Sequence, residues 1–307
     1  MRRPLFRPFL ALLFSLFSLF WLAAPAAMAA ERGALFRVGL DGHTMYLFGT
    51  MHVGLPDFYP LEPRIAGALA EASTLALEID PVQPQAQLMR ALRAHGMLDA
   101  GGNGNGSAYE AMDAGRKALL DKLIRQGGLD PGKAETFKPV LLATMLALAE
   151  YTRLGYRTDL SSDAWLAREA HAKGVRLLEL ESLDKQLSLL DRLPEPERWR
   201  FLDEMMGTIE SGAQRREARA IVQAWSSADR EALDQIAARC EADTSVSGAF
   251  ATRVLIKERN VGLAERLLQL LRQEKQTVGA VGVLHLLGQG SVPALLQASG
   301  ASVERIY

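Results

Sequence analysis

Three side chains that can bind a metal ion or move a proton come at the carboxyl ends of predicted strands. They are His52, Glu78 and His285. In an open α/β sheet the loops diverge at the carboxyl ends of the strands, so residues far apart in sequence can converge there. We therefore expect the three residues to share one site. Two neutral imidazoles and a carboxylate suit a divalent transition metal, and they leave coordination positions open for water or substrate.

The two histidines also share a local sequence pattern. Residues 49–52 read Gly-Thr-Met-His and residues 282–285 read Gly-Val-Leu-His, and a glycine-containing turn follows each. We call these segments the first and second histidine boxes. A single histidine after a strand is more often a hydrogen-bonded turn residue than a ligand. Its repetition in two equivalent places favours a shared chemical role.

This set of ligands predicts hydrolysis, because a metal ion held in this way lowers the pKa of a bound water and polarises a carbonyl group. Mn²⁺, Co²⁺ and Zn²⁺ all suit these ligands. Glu78 is either a ligand or the general base, and the sequence leaves both roles open. The HExxH signature of many zinc proteases is absent. If Glu78 is instead structural, its burial in an apolar run requires an ionic partner, with Arg259 and Arg37 as the candidates.

The remaining histidines and the single cysteine are predicted to be structural. His43 lies at a hairpin turn, His95 leads into a loop, and His171 lies near the end of a helix. Cys240 lies in a helical stretch, where packing in the core is the expected role. One thiol cannot form a disulfide within the chain.

The first part of the sequence alternates between strands and helices. Residues 34–48 form two strand-like runs joined at Asp41-Gly42, a dipeptide that favours a tight hairpin turn. A helix is predicted over 61–73 and a strand over 74–80. This order is typical of an α/β sheet.

The middle of the sequence is predicted to be a large helical insertion, about 109–274, that follows a glycine-rich loop at 101–107. The strand-like run 175–181 interrupts it. The apolar segment 138–151 is too short to span a membrane and is predicted to be a buried helix. Helices are predicted over 138–151, 161–174, about 185–240 and 246–274.

The last part of the sequence returns to the sheet. We predict a strand over 277–285, a short helix over 291–300 and an edge strand over 301–307. The fold class is therefore α/β with a mixed α+β sheet, which begins with a β-hairpin and is built from both ends of the chain. We expect one domain over 31–307.

Composition excludes one class of partner. The chain has 307 residues, of which 49% are hydrophobic and 23% charged, with a formal net charge of −1. A near-neutral chain without blocks of lysine and arginine lacks the clustered positive charge that nucleic acids require. No nucleic-acid partner is expected, and the oligomeric state is left open.

The first 30 residues resemble a secretory signal peptide. Three arginines lie within the first seven residues, an apolar run covers 9–24, and small residues precede a cleavage site near Ala29 or Ala30. The run is shorter than the ~20 residues that span a bilayer. We expect a periplasmic or secreted protein without a membrane span after cleavage. An uncleaved N-terminal anchor is the alternative.

These features together resemble the TraB/GumN family, which includes the Tiki metal-dependent proteases and is distantly similar to ChaN-like and erythromycin-esterase-like proteins. The resemblance covers 34–306. The segments that carry it are YLFGTMHVG around His52, LALEID around Glu78, the run 138–186, KERN at Arg259 and Asn260, and VGAVGVLHLLGQGSVPALLQASG around His285.

The resemblance implies an active site. It implies that His52, Glu78 and His285 bind the metal, and that Arg259 completes the catalytic set, either by holding Glu78 or by binding the substrate through its planar fork. Glu181 and Gln186 match the family segment L-E-[ST]-x-x-x-Q. The sequence departs from the family pattern at 157–159, Arg-Thr-Asp, where a glycine and a hydrophobic residue more often precede the aspartate.

Three functions are consistent with these residues. The first is a metal-dependent hydrolase that acts on a peptide or protein substrate. The second is a non-enzymatic protein that binds a metal ion or haem in the same cleft. The third is a metal-free, esterase-like hydrolase in which a histidine acts as general base on water.

Overall fold

The computed structural model describes residues 30–98 and 112–307. The predicted signal peptide, except for Ala30, and the predicted loop at 101–107 lie outside the described residues.

A six-stranded mixed sheet forms the centre of the described structure, in the order β4-β3-β5-β2-β1-β6. Strands β2, β5, β3 and β4 are neighbours and run parallel, whereas β1 is antiparallel to both β2 and β6. The predicted α/β class, the N-terminal hairpin and the edge strand at the C-terminus are confirmed. The strands are β1 Leu35–Leu40, β2 His43–Thr50, β3 Thr74–Leu77, β4 Arg176–Glu179, β5 Gln276–Gly282 and β6 Ser302–Arg305.

The hairpin turn forms as its dipeptide predicts. Leu40 pairs with His43, so Asp41 and Gly42 are the two turn residues. Their φ angles are 51° and 82°. A two-residue turn with positive φ at both positions matches the right-handed twist of the strands that it joins.

Helices make up most of the described residues between β3 and β5. They begin with α2, before the predicted start at about 109, and the predicted helix at 185–240 is divided at Pro194, Gly212 and Asp229. The helices are α1 Pro63–Glu71, α2 Gln85–Ala91, α3 Ala114–Gln126, α4 Pro131–Ala134, α5 Pro139–Arg153, α6 Ser162–Lys173, α7 Leu183–Ser188, α8 Glu195–Glu210, α9 Ala213–Ser226, α10 Arg230–Ala242, α11 Val246–Phe250, α12 Glu258–Gln273 and α13 Val292–Ala298.

Two groups of buried apolar residues stabilise this arrangement. One surrounds the sheet and includes Phe48, Leu75 and Trp225. The other lies among the helices and includes Leu146 of α5 and Met206 of α8. The prediction that the apolar segment 138–151 is a buried helix is therefore confirmed.

The prediction that Cys240 packs in the core is wrong. The cysteine is exposed on α10 and is not a core residue. Leu233, Ile236 and Ala237 form the buried face of α10, and Cys240 falls outside that face.

Across the described residues, no helix has the length and apolar character needed to cross a membrane.

Candidate active site

Three neighbouring parallel strands place the predicted site residues at one edge of the sheet. His52 comes two residues after β2, Glu78 directly after β3, and His285 in a 3-10 turn, Val283–Leu286, that follows β5. The strand predicted over 277–285 thus ends at Gly282. Because β5 lies between β2 and β3, the three strand ends are adjacent.

Gly282 is the point on which the three side chains converge. A Cβ atom built on it would lie 3.2 Å from His52 Nε2, 3.3 Å from Glu78 Oε1 and 3.6 Å from His285 Cδ2. The absence of a side chain at Gly282 therefore leaves the space that these three groups share. The expectation that they lie together in space agrees with this geometry.

Glu78 is a buried, ionised carboxylate. Glu78 is 5% exposed. The Gly282 N–H donates to its Oε1 at 2.6 Å, and Gln186 Nε2 donates to its Oε2 at 3.3 Å. Burial by itself would raise the pKa of the carboxyl group. Nearby His285, Arg259 and His52 and the Gly282 N–H outweigh that effect and lower the pKa of Glu78 to about 2.

Arg259 uses all five of its N–H groups within the site. Nε donates to Glu181 Oε2 at 2.8 Å, and Nη1 donates to the Leu255 carbonyl and to His285 Nε2, both at 3.1 Å. Nη2 donates to Glu78 and Glu181. With no N–H left over, the guanidinium holds Glu78 and Glu181 in place instead of facing a substrate.

Arg37, the other candidate partner of Glu78, is not part of the site. Its guanidinium lies 3.6 Å from Glu304 on the exposed face of β1 and β6. The prediction that Arg37 could pair with Glu78 is therefore wrong, and Arg259 is the partner.

Glu181 joins the site because the pairing of β3 with β4 continues past the strands. The Glu181 N–H donates to the Glu78 carbonyl at 2.8 Å, so the two residues lie side by side although β4 ends at Glu179, short of the predicted 181. Gln186 also donates to Glu181, at 3.3 Å. The two family-matched residues thus support Arg259 and Glu78 from one side.

His285 is buried and neutral. Its side chain is 3% exposed, and this burial lowers its pKa to about 4. Asn260 Nδ2 donates to the Gly290 carbonyl at 2.8 Å, so Asn260 Oδ1, 2.6 Å from His285 Nδ1, is the acceptor of the Nδ1–H. Nε2 therefore carries the lone pair, and it lies 3.8 Å from Glu78 Oε1.

His52 has the opposite environment. Its side chain is 67% exposed, and Nδ1 lies 3.0 Å from Asp163 Oδ2. The negative charge of Asp163 raises the pKa of His52 to about 9. With Nδ1 bound to Asp163, Nε2 is the atom that faces Gly282 and Glu78.

Asp163 belongs to this cluster, and no sequence pattern marked it. The Ser161-Ser162-Asp163 segment signals only a helix start, and Ser161 does cap α6 by accepting from the Ala164 N–H at 3.1 Å. Ser162 then bonds to Met51 in the first histidine box, with Met51 N donating to Ser162 Oγ at 2.8 Å. This contact fixes the first turn of α6 beside His52.

The donor chemistry of the site fits a divalent transition metal. Each imidazole binds an oxygen acceptor through Nδ1, which is the usual way in which a metal-binding histidine is oriented, and Glu78 is ionised. Among the described residues, no three His, Cys, Asp or Glu side chains already form a coordination set. Metal binding therefore requires His285 Nε2 to exchange its Arg259 partner and His52 to lose its proton.

A polar cleft of ≈ 640 Å³ opens at these residues. The Arg-Thr-Asp departure at 157–159 lies at this cleft, which Thr158 and Asp159 line. The local turn is held by Arg157, whose Nε donates to Asp159 at 3.0 Å and whose backbone pairs with Gly54. The departure therefore leaves the site residues in place.

The other histidines lie outside the cleft. His43 Nδ1 contacts the Leu271 carbonyl at 2.7 Å, and His95 lies 3.1 Å from each of two aspartates, Asp184 and Asp191. His171 is exposed near the end of α6.

Comparison with known proteins places the chain in a family. The chain is 24% identical over 255 residues to the "Uncharacterized protein YbaP" of Escherichia coli (strain K12), which covers 82% of this chain and 87% of that protein. The YbaP of Shigella flexneri matches to the same extent. No solved structure matches the chain. The model of the TraB/PrgY/gumN family matches residues 34–305, which include the whole sheet and every residue of the site. This protein therefore belongs to the TraB/PrgY/gumN family.

Proposed function

We propose that this protein is an exported metal-dependent hydrolase that acts on peptides. The observation that carries the proposal is the convergence of His52, Glu78 and His285 on Gly282, with each imidazole oriented through its Nδ1. The signal-like N-terminus supports export to the periplasm or the medium.

His52, Glu78 and His285 would hold the ion, which supplies a Lewis acid for the scissile carbonyl and a more acidic water at neutral pH. The low pKa of Glu78, about 2, suits a ligand better than a general base, because a base works best when its pKa lies near the working pH. Arg259 keeps that carboxylate in place, and Asn260 keeps the His285 lone pair on Nε2.

A metal-free hydrolase is the second candidate, and one contact favours it. Arg259 Nη1 already donates to His285 Nε2 at 3.1 Å, so the second histidine box has a complete set of partners without an ion. In this case His52, oriented by Asp163, would act as the base. With a pKa of about 9, it would be active only in alkaline solution.

The test is a chelation and reconstitution experiment on the purified protein. Bound metal is measured first, and a mixed-sequence peptide library is then incubated with chelated protein and with added Mn²⁺, Co²⁺ or Zn²⁺. We expect cleavage that needs metal, and we expect both metal content and cleavage to be lost in His52→Ala and His285→Ala. His171→Ala is the matched control, because His171 is exposed outside the cleft.

Other results would select the other candidates. Cleavage that survives chelation and increases towards pH 9 would support the metal-free hydrolase. Metal binding without any hydrolysis, or haem binding that the histidine variants lose, would make this a binding protein. Unchanged metal content in both histidine variants would remove the ligand assignment.

A further inference from the structure

Two cavities of different character meet at the proposed site. The lining of the polar cleft includes three charged residues that do not line the second cavity, Asp159, Asp163 and Arg168. A second cavity, which we call the apolar pocket, has a volume of ≈ 370 Å³. His52 and Arg259 line both cavities.

Apolar side chains from several parts of the fold line the apolar pocket. They come from α5, α9, the segment before α12 and the two histidine boxes, and include Met51, Ala147, Leu148, Ile221, Leu255 and Leu284. Gly282 and His285 line the same pocket, so it is continuous with the site. An apolar cavity of this kind beside a few convergent polar groups is the usual form of a binding pocket for a small apolar group.

The shared residues determine how a substrate can lie. A scissile bond placed at His52 borders both the apolar pocket and the polar cleft, because that histidine lines both cavities. Burying an apolar group in the pocket removes it from water, whereas a charged group against the aliphatic part of the lining would lose its hydration without a partner there. The two sides of the site therefore favour chemically different parts of a substrate.

We propose that the apolar pocket binds a bulky apolar side chain of a peptide substrate, on a residue directly next to the scissile bond. The polar part of the peptide lies in the polar cleft. This inference rests on the proposed function and adds the substrate class: peptides with Leu, Ile, Met, Phe or Tyr at one position beside the cleavage site.

The cleavage sites in a mixed-sequence decapeptide library, read by mass spectrometry, test this proposal. We expect apolar residues at one flanking position to exceed glycine and aspartate by roughly tenfold or more, the discrimination available to an apolar pocket. Ala147→Phe fills the pocket and should reduce cleavage at those sites by about tenfold. Thr152→Phe is the matched control, because Thr152 is exposed on the same helix and does not line the pocket.

A second variant and a binding measurement guard against ambiguous results. Leu148→Asn leaves the pocket open but makes it polar, and should weaken the apolar preference in the same direction. Ligand-observed NMR on the full-length protein follows the binding of two compounds. One is N-acetyl-phenylalanine amide, and the other is the α-amide of N-acetyl-aspartic acid, which keeps its side-chain carboxylate. We expect the first compound to bind the native protein and Thr152→Phe, and to bind Ala147→Phe about tenfold more weakly.

The outcomes separate the two proposals. If no peptide is cleaved with any metal, the proposed function fails, and the NMR comparison still decides whether the pocket takes an apolar side chain. Cleavage without an apolar preference, or equal binding of phenylalaninamide by Ala147→Phe and Thr152→Phe, would overturn the pocket assignment and leave the proposed hydrolase intact.

Discussion

The two histidine boxes have the same sequence pattern but opposite environments. The first box ends with His52, whose side chain is 67% exposed and paired with Asp163. The second box ends with His285, whose side chain is 3% exposed and paired with the neutral Asn260. The pKa of His52 is raised to about 9 and that of His285 is lowered to about 4.

The difference comes from the helices that pack on each box. The first turn of α6 brings a carboxylate to His52 at the open cleft, whereas α12 brings Arg259 and Asn260 over His285 and removes it from water. At neutral pH one ring is therefore cationic and the other neutral. Equal sequence patterns do not imply equal chemistry, because a pKa is determined by neighbours that come from elsewhere in the chain.

The largest loss of activity is expected for Glu78, the carboxylate that faces the histidines of both boxes. Glu78→Gln keeps the shape of the side chain but removes the charge that faces both imidazoles. We expect kcat/KM for peptide cleavage to fall by about 10³-fold, within the range for loss of a catalytic ligand or base. Steady-state kinetics measure the loss, and circular dichroism checks the fold, which Glu181 should preserve by holding Arg259. Full turnover in Glu78→Gln would remove the carboxylate from the mechanism.

Metal affinity should depend on pH through the first box alone. His52 must release its proton when it binds a metal below pH 9, whereas His285 is already neutral above pH 5. The metal Kd should therefore fall by about tenfold per pH unit between pH 7 and 9, with about one proton released on binding near pH 7.

Calorimetry in buffers of different ionisation enthalpy counts that proton. Asp163→Asn removes the charge that raises the pKa of His52, so the dependence should level off at a pH nearer 6.5. A pH-independent Kd in the native protein would contradict the assignment of His52 as a ligand.

Folding stability should depend mainly on the second box. His285→Ala leaves Asn260 and Arg259 with buried groups that have lost their partner, so we expect a loss of about 2 kcal/mol in the free energy of unfolding. His52→Ala, at an exposed position, should change it by under about 0.5 kcal/mol. Urea denaturation of both variants measures the difference, and equal losses would mean that the two boxes have similar structural roles.

Acid should destabilise the fold through the buried ring of His285. Because the pKa of His285 is lowered in the folded protein, the unfolded chain takes up a proton first as the pH falls from about 6.5 towards 4. The free energy of unfolding should decrease over that range, and the decrease should be smaller in His285→Ala.

The smallest effect is expected for alkaline stability. The raised pKa of His52 means that its ion pair with Asp163 stabilises the fold fully below pH 6.5 and is lost as the pH rises through about 9. Since water screens an exposed ring, we expect the native protein to lose under about 0.5 kcal/mol relative to His52→Ala between pH 6.5 and 9.5. Urea denaturation at both pH values checks the sign, and an increase instead of a loss would contradict it.

Much of the fold could be predicted from local patterns. The Asp41-Gly42 turn, the helix that Ser161 caps and Gly174 ends, and the buried helix Pro139–Arg153 all formed as predicted. Each depends on neighbouring residues, whose spacing and backbone preferences are visible in one sequence. The lengths of the strands were less accurate, because Gly282 and Glu179 end theirs where loops turn towards the site.

The site could be predicted only in part. His52, Glu78 and His285 were predicted to converge because strand ends and repeated boxes mark them, and the structure brings them together. Arg259 was one of two candidate partners for Glu78, and the resemblance to the TraB/GumN family placed it in the predicted active site. Asp163 was missed because its helix is 111 residues away from the first box and carries an ordinary capping signal. The pairing of Arg37 was wrong because its strand side faces solvent next to β6.

The chemical groups of this site and the strand ends that carry them are determined by the sequence alone, since hydrophobic periodicity and glycine positions are local properties of the chain. Which ring is charged, which carboxylates face Arg259 and which cavity has an apolar lining are decided only in the tertiary structure. Hydration, charge proximity and cavity shape depend on residues that the fold brings together from α5, α6, α12 and the sheet, and no local pattern encodes that set.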